Sequence, residues 1–373
     1  MTTGHPAPPR PRAAPPRAAP SPRTLLYEAA IAGDEYAAAA IVRRALDDGA
    51  APEDVLLGLI ASVQRTVGEE WAAARISVAQ EHAASAISDR VIGTLVHRSA
   101  PGPAAGPPRG RVTVACVDGE WHALPARLLS EVLRLRGWRV DFLGAQVPTP
   151  HLVTHLHMTG ADAVALSGSL ATRLPTAHAA ITACQSVGVP VLAGGAAFGP
   201  DGRYARLLGA DMWAPDARTA ADRLADRPPV AAAPHPPGAL RHLDDQEYTY
   251  VTRTAPQLVR AALAGLESRF PALRGYTEQQ LRHTADDIAQ IVDFLAASLY
   301  ADDPELFTGF VRWTAGILAA RGVPARSLVP TLGVLADRLA DFPRAARHLA
   351  EAARAVDGDA PSPGASTGQG AAA

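Results

Sequence analysis

Between residues 111 and 226 the chain alternates short apolar, β-branched runs with amphipathic helical patterns, a rhythm that few folds accept. It demands a parallel sheet with helices on both faces. Val112-Thr113-Val114-Ala115-Cys116-Val117 reads as a strand buried on both sides, and the Leu124, Leu128, Leu129, Val132, Leu133 and Leu135 spacing reads as the helix after it, stopped at Gly137. Further strands are expected at 139–143, 163–166, 189–193 and 211–213, with helices from Pro150 and over 216–224. His122, Ser167, Ser169, Gly194 and Gly195 then all fall in loops after strands, on the rim where open α/β sheets collect ligands.

A nucleotide is the usual guest of such a rim, yet neither G-x-G-x-x-G nor G-x-x-x-x-G-K-S/T follows the first strand. An imidazole, hydroxyls and a glycine pair suit a metal-centred macrocycle with a long tail. On Glu120-Trp121-His122, Ser167-Gly168-Ser169 and Gly194-Gly195 the sequence resembles the cobalamin-binding domains of corrinoid proteins, with their D/E-x-H-x-x-G, S-x-L or S-x-S/T, and G-G signatures. The resemblance implies that His122 is the lower ligand to cobalt, with Glu120 as its acidic neighbour. It also implies that Ser167 and Ser169 line a channel for the dimethylbenzimidazole tail, and that Gly194 and Gly195 let the tail lie against the sheet. Pro125 stands where that family usually has glycine; as a residue that begins or continues a helix, it need not touch the ligand.

Residues 23–100 are helical in pattern and rich in alanine, with breaks at Gly33-Asp34, at Asp47-Asp48-Gly49 and near Ile76-Ser77. Such a block resembles the four-helix cap of methylcobalamin and adenosylcobalamin proteins. Within it, Trp71 followed by Val78-Ala79-Gln80-Glu81-His82 is similar to the cap motif of CarH-type light-sensing repressors. That resemblance implies that Trp71 and Glu81 pack around the 5′-deoxyadenosyl group, and that His82 takes cobalt after light breaks the cobalt-carbon bond. The alternative is a core tryptophan and a solvated Glu-His pair.

At 373 residues, two or three domains are expected, and 48% hydrophobic residues are ample for packed cores. No apolar run is long enough to span a bilayer. Residues 1–22 lack a signal-peptide h-region and read as a disordered tail, as do 357–373. The net charge of −2 makes no electrostatic case for nucleic acid, and Arg10, Arg12, Arg17 and Arg23 form only a short basic stretch. The repressors carry a helix-turn-helix ahead of the cap; none is expected here, so no direct DNA binding is expected. Two cysteines, Cys116 and Cys184, indicate a reducing, cytoplasmic setting. His151, His155 and His157 have no local acidic or cysteine partner, and a solvated face is expected.

Residues 227–244 form a proline-rich linker, expected to be stiff and extended. Residues 245–356 turn helical again, with a Thr277/Gln280 capping box and Asp303-Pro304 as helix starts. An all-helical domain after a CarH-like module resembles the photocobilins, whose globin-like or phycobiliprotein-like domain holds biliverdin. That resemblance implies a bilin slot, for which Tyr276, Arg282, His283, Asp286, Asp287, Tyr300, Arg312 and Trp313 are the candidates, with an aspartate for the pyrrole N–H groups and an arginine for the propionates. Without a cysteine in this domain, a bilin there is non-covalent. The alternative is a polar helix face with Phe307, Phe310 and Trp313 as core.

The fold expected is thus multidomain α and α/β: a four-helix cap bundle, a Rossmann/flavodoxin-like parallel-sheet B12 domain and an all-helical C-terminal domain. The function expected is a photoreceptor holding adenosylcobalamin and biliverdin, a homo-oligomer that signals to an unidentified protein. A light-independent corrinoid carrier and a B12-level sensor are the alternatives. No residue set for turnover chemistry is evident, and no enzyme is expected.

Overall fold

The structure is a computed structural model that describes residues 20–99, 108–226, 230–269 and 275–357. The expected tails, apart from their innermost residues, and the start of the linker lie outside these residues.

The cap is built from α1 (Pro22–Ala32), α2 (Glu35–Asp47), a long helix, and α5 (Val78–Ser99). The long helix starts as α3 (Pro52–Asp54), passes through a π-helical turn over Val55–Ile60 and continues as α4 (Ala61–Ala72). Local chemistry sets these limits. Ser21 and Asp34 accept backbone N–H groups as N-caps, and Gly33 closes α1 in the left-handed conformation. Ser77 and Gln80 form a capping box that starts α5, which puts Glu81 and His82 in its first two turns.

The central domain is a five-stranded parallel sheet of order β2-β1-β3-β4-β5, comprising β1 (Arg111–Cys116), β2 (Arg139–Gly144), β3 (Ala163–Ser167), β4 (Val191–Gly194) and β5 (Met212–Ala214). It alternates with α6 (Leu124–Leu135), α7 (Thr149–Thr159), α8 (Leu174–Ser186), the short α9 (Arg203–Leu207) and α10 (Ala217–Asp226). β1 is buried but for its first residue and β3 throughout, which is why their sequences carry no polar alternation. The chain leaves β1 toward β2 on one side and returns to β3 on the other. The topological switch point therefore lies between the carboxyl ends of β1 and β3.

Among the described residues the C-terminal domain has five α-helices: α11 (Glu247–Arg269), α12 (Glu278–Ala301), α13 (Pro304–Ala320), α14 (Val329–Arg338) and α15 (Pro343–Asp357). The expected capping box at Thr277/Gln280 and the Asp303 N-cap are both present. This domain is not held off by a spacer. Leu240 is buried in the central domain's core together with Tyr300 and Ala301, and the His235 carbonyl accepts hydrogen bonds from His178 and Thr182. Within the described part of the linker, His235 and Leu240 are thus fastened to the sheet domain, while Val230 stays exposed. No helix among the described residues is long and apolar enough to cross a membrane.

Candidate functional site: a cavity between cap and sheet

The loop from β1 to α6 holds the centre of the site. Glu120 is wholly buried although it is a carboxylate, and its four hydrogen bonds explain why that is tolerated. Its Oε1 accepts from the His122 backbone N–H at 3.0 Å and faces the His122 Nδ1 at 2.5 Å. Its Oε2 accepts from the N–H groups of Ser169 at 2.8 Å and Leu170 at 3.0 Å. One side chain thereby ties the loop after β1 to the loop after β3 across the switch point. Burial alone would push this carboxyl up, but the hydrogen bonds from the His122 ring and three backbone N–H groups bring it down to about 2.

The same contact decides the state of His122. With Nδ1–H donated to a carboxylate, the neutral ring keeps its lone pair on Nε2, the arrangement that metal-binding histidines use. The Glu120 hydrogen bond outweighs burial and raises the His122 pKa, with the negative charges of Glu120 and Glu81 adding to it. His122 is half exposed and lines a cavity of about 750 Å³.

The cap forms the other wall, through Ala61, Gln64 and Arg65 of α4 and Glu81, His82, Ser85 and Asp89 of α5. His82 repeats the pattern of His122, its Nδ1 lying 2.5 Å from Glu81 Oε2. Glu81 is itself held by the Ser85 hydroxyl at 2.9 Å, and Ser85 accepts from the Gln64 amide at 2.5 Å. Two histidines from separate domains thus line one cavity, each with Nδ1 turned to its own carboxylate and Nε2 left as the free nitrogen. Among the described residues no group of three or more His, Cys, Asp or Glu could hold a bare metal ion. Two imidazoles facing one cavity would instead suit a metal that arrives with most of its ligands already in place.

Several expected site residues sit elsewhere. Ser169 lines the cavity, whereas Ser167 ends β3 in the sheet interior. The glycine pair serves backbone approach first: a Cβ on Gly195, which has φ +98°, would lie 2.3 Å from the Gly168 carbonyl oxygen, and one on Gly194 would lie 3.3 Å from that of Ala214. Pro125, which as a helix-starting residue need not touch a ligand, does line the cavity and occupies an ordinary first-turn position of α6. Trp71 does not line the cavity. Its ring faces Trp313 of α13 at 6.3 Å, and the Arg321 guanidinium lies 5.4 Å from its centre. Trp121, next to His122 and 69% exposed, also lines the cavity, a role that sequence reasoning missed; its place in the E-x-H loop was the available signal.

The bilin candidates do not converge. Tyr276 precedes α12 and Tyr300 lies in its last turn, so a helix of about 35 Å separates them. Tyr300 is buried, and its hydroxyl meets His178 Nδ1 of the sheet domain at 2.8 Å, which makes it a domain-contact residue. Arg282 pairs with Glu278 and Arg312 with Glu305, each within its own helix. His283, Asp286 and Asp287 lie on the exposed side of α12. Trp313 is 52% exposed and touches Phe310, which stacks on Phe294 at 3.8 Å. His155 of the histidine trio does have an acidic partner, distant in sequence: Asp141, at 3.1 Å, which also binds Arg111.

Comparison with known proteins finds a family model on each of the two domains that wall the cavity. Residues 110–225 match the family model described as B12 binding domain, and residues 23–95 match a second model of the same description. Both segments are B12-binding domains. The HTH-type transcriptional repressor CarA of Myxococcus xanthus is 34% identical over 174 residues, 44% of this chain and 54% of the repressor. The chain thus spans about half the length of that curated relative. Among solved structures, the monomethylamine corrinoid protein of Methanosarcina barkeri aligns with a TM-score of 0.46 at 19% identity, covering 54% of this chain and 95% of that one. A cobalamin-binding protein from Desulfitobacterium hafniense aligns with a TM-score of 0.31 at 20% identity, covering 55% and 98%.

Proposed function

We propose that this chain is a light-responsive adenosylcobalamin sensor. The observation that carries the reading is the pair of histidines, His122 below and His82 above one cavity, both with Nδ1 engaged by a carboxylate and Nε2 free. When bound, adenosylcobalamin supplies a cobalt-carbon bond that light can break. His122 would hold the metal from the sheet side, and Glu120 fixes the ring and its tautomer through bonds that do not depend on the ligand. Ser169, Trp121, Leu124, Pro125 and Leu128 line the sheet side of the cavity and would frame the macrocycle there. On the cap side, the Gln64-Ser85-Glu81 chain orients His82, which is 76% exposed and would be the cap's own ligand for the metal. The similarity to a transcriptional repressor supports a regulatory rather than a catalytic role, with the response passed in the cytoplasm to the helical domain, to a second copy or to a partner protein.

Biliverdin in the helical domain remains part of the proposal; it rests on the all-helical architecture beside the cobalamin module and would be non-covalent, since both cysteines lie in the sheet domain.

The test is an absorption spectrum of the chain loaded with adenosylcobalamin and biliverdin, taken in the dark and after green and red light. The expected result is a cobalamin spectrum that changes with light, together with a red-absorbing bilin band. His122→Ala should lose histidine-on binding, and His82→Ala should bind normally in the dark yet fail to form the stable light product. A corrinoid that binds but does not respond to light refutes the sensor reading in favour of a carrier, and a missing bilin band refutes the second chromophore.

A further inference from the structure

The helix that roofs the cavity is fastened at both ends to different bodies. At its start, Glu53 receives a two-point contact from Arg136 of the sheet domain, 3.0 and 2.9 Å, and Arg218 adds to it. At its end, Trp71 meets the helical domain: Trp313 faces the ring, Arg321 lies over it, and an Arg321 nitrogen donates to the Trp71 carbonyl at 3.4 Å. The two ends are about 27 Å apart along the helix, and the cavity-lining Ala61, Gln64 and Arg65 lie between them. Gln64 and Trp71 are seven residues apart, two turns on the same side, so a displacement of one carries the other.

The helical domain is in turn fixed to the floor. Tyr300 bonds to His178, Tyr204 donates to Asp303 at 2.7 Å, and Arg203 pairs with Asp303 at 2.9 Å. Leu240, Tyr300 and Ala301 share the core of the sheet domain. The contact with the cap is by comparison partly exposed and small. A firm anchor below and a light one above make this domain a strap across the cavity.

We infer that Trp313 and Arg321 are positioning residues that hold the roof closed through Trp71 and so set how fast a corrinoid enters and leaves. The inference rests on the cobalamin reading of the cavity. The contact is a partly exposed aromatic pair with one cation over a ring, each worth a fewfold to about tenfold in an equilibrium. Its loss should therefore raise exchange by about tenfold.

The experiment is stopped-flow absorption of the full chain with hydroxocobalamin, giving association and dissociation rates. Trp313→Ala and, as a milder change at an exposed site, Arg321→Ala should raise both rates, and the Trp71→Ala/Trp313→Ala pair should be no faster than Trp71→Ala alone. Met158→Ala, at an exposed position away from the contact, should match the parent. Variants that fold, bind and exchange within twofold of the parent overturn this inference alone. A parent with no spectral response to hydroxocobalamin overturns the cobalamin reading and this inference with it.

Discussion

Replacing Glu120 by glutamine is the most demanding test of the site, because it keeps the shape and removes only acceptor capacity. A glutamine amide can accept on one side but not on the other, so either the Ser169 and Leu170 N–H groups or the two His122 donors are left facing an NH2. The fall of the carboxyl from 4.5 to about 2 corresponds to about 3 kcal/mol of stability, at about 1.4 kcal/mol per pH unit. Because the folded pKa is the lower one, this stabilisation is fully present above pH 4.5 and is lost as pH falls toward 2. The variant should thus be about 3 kcal/mol less stable than the parent at pH 7, and the gap should shrink to less than half by pH 3. The chain has only two cysteines, both buried in the sheet domain, so their reaction with an acid-active pyridyl disulfide during urea unfolding reports that domain selectively. A gap below 1 kcal/mol at pH 7, or one that does not change with pH, would refute the four-bond account of Glu120.

Three further outcomes are expected. Since the His122 pKa is raised, protons compete for Nε2, and histidine-on affinity for methylcobalamin should be flat above that pKa and fall about tenfold per pH unit below it, read by absorption titration; an affinity independent of pH from 5 to 8 would contradict this. Gly195→Ala should cost the sheet domain several kcal/mol, seen as loss of the cooperative transition or of soluble protein, because both the left-handed φ and the Gly168 carbonyl oppose a side chain. Ala74 also has a left-handed backbone, φ +57°, with open solvent around it, so Ala74→Gly should raise the thermal midpoint, with a gain of about 1 kcal/mol; a lower midpoint would show that the strain is absent.

Much of this was legible in the sequence because it is local. Buried parallel strands write themselves as apolar runs, and the capping signals at Thr277 and Asp303 are set by neighbours two or three residues away. The pairing of Glu120 with His122 was readable for the same reason. The partner of its other oxygen was not, since Ser169 lies 49 residues away and meets it only through strand order. Trp71 shows the limit most clearly. Its motif suggests a pocket lining, yet the ring turns to a tryptophan 242 positions later, a choice that depends on where the helical domain docks. Tyr300 and His155 obey the same rule, each taking a partner that no local spacing encodes.

The π-helical turn at Val55–Ile60 bears on how the roof can move. An unbroken α-helix of that length is a rigid rod and would pass any tilt at Trp71 straight through to Glu53. Here the Ala61 N–H reaches back to the Leu56 carbonyl, and the Ser62 hydroxyl bonds the Gly58 carbonyl at 2.7 Å, so one wide turn interrupts the regular ladder. Each surplus residue in such a turn rotates the downstream helix by about 100° relative to the upstream part. The helix is therefore two segments joined at one wide turn, a stub seated on the sheet domain and an arm over the cavity, and the turn sets which face the arm presents to the cavity.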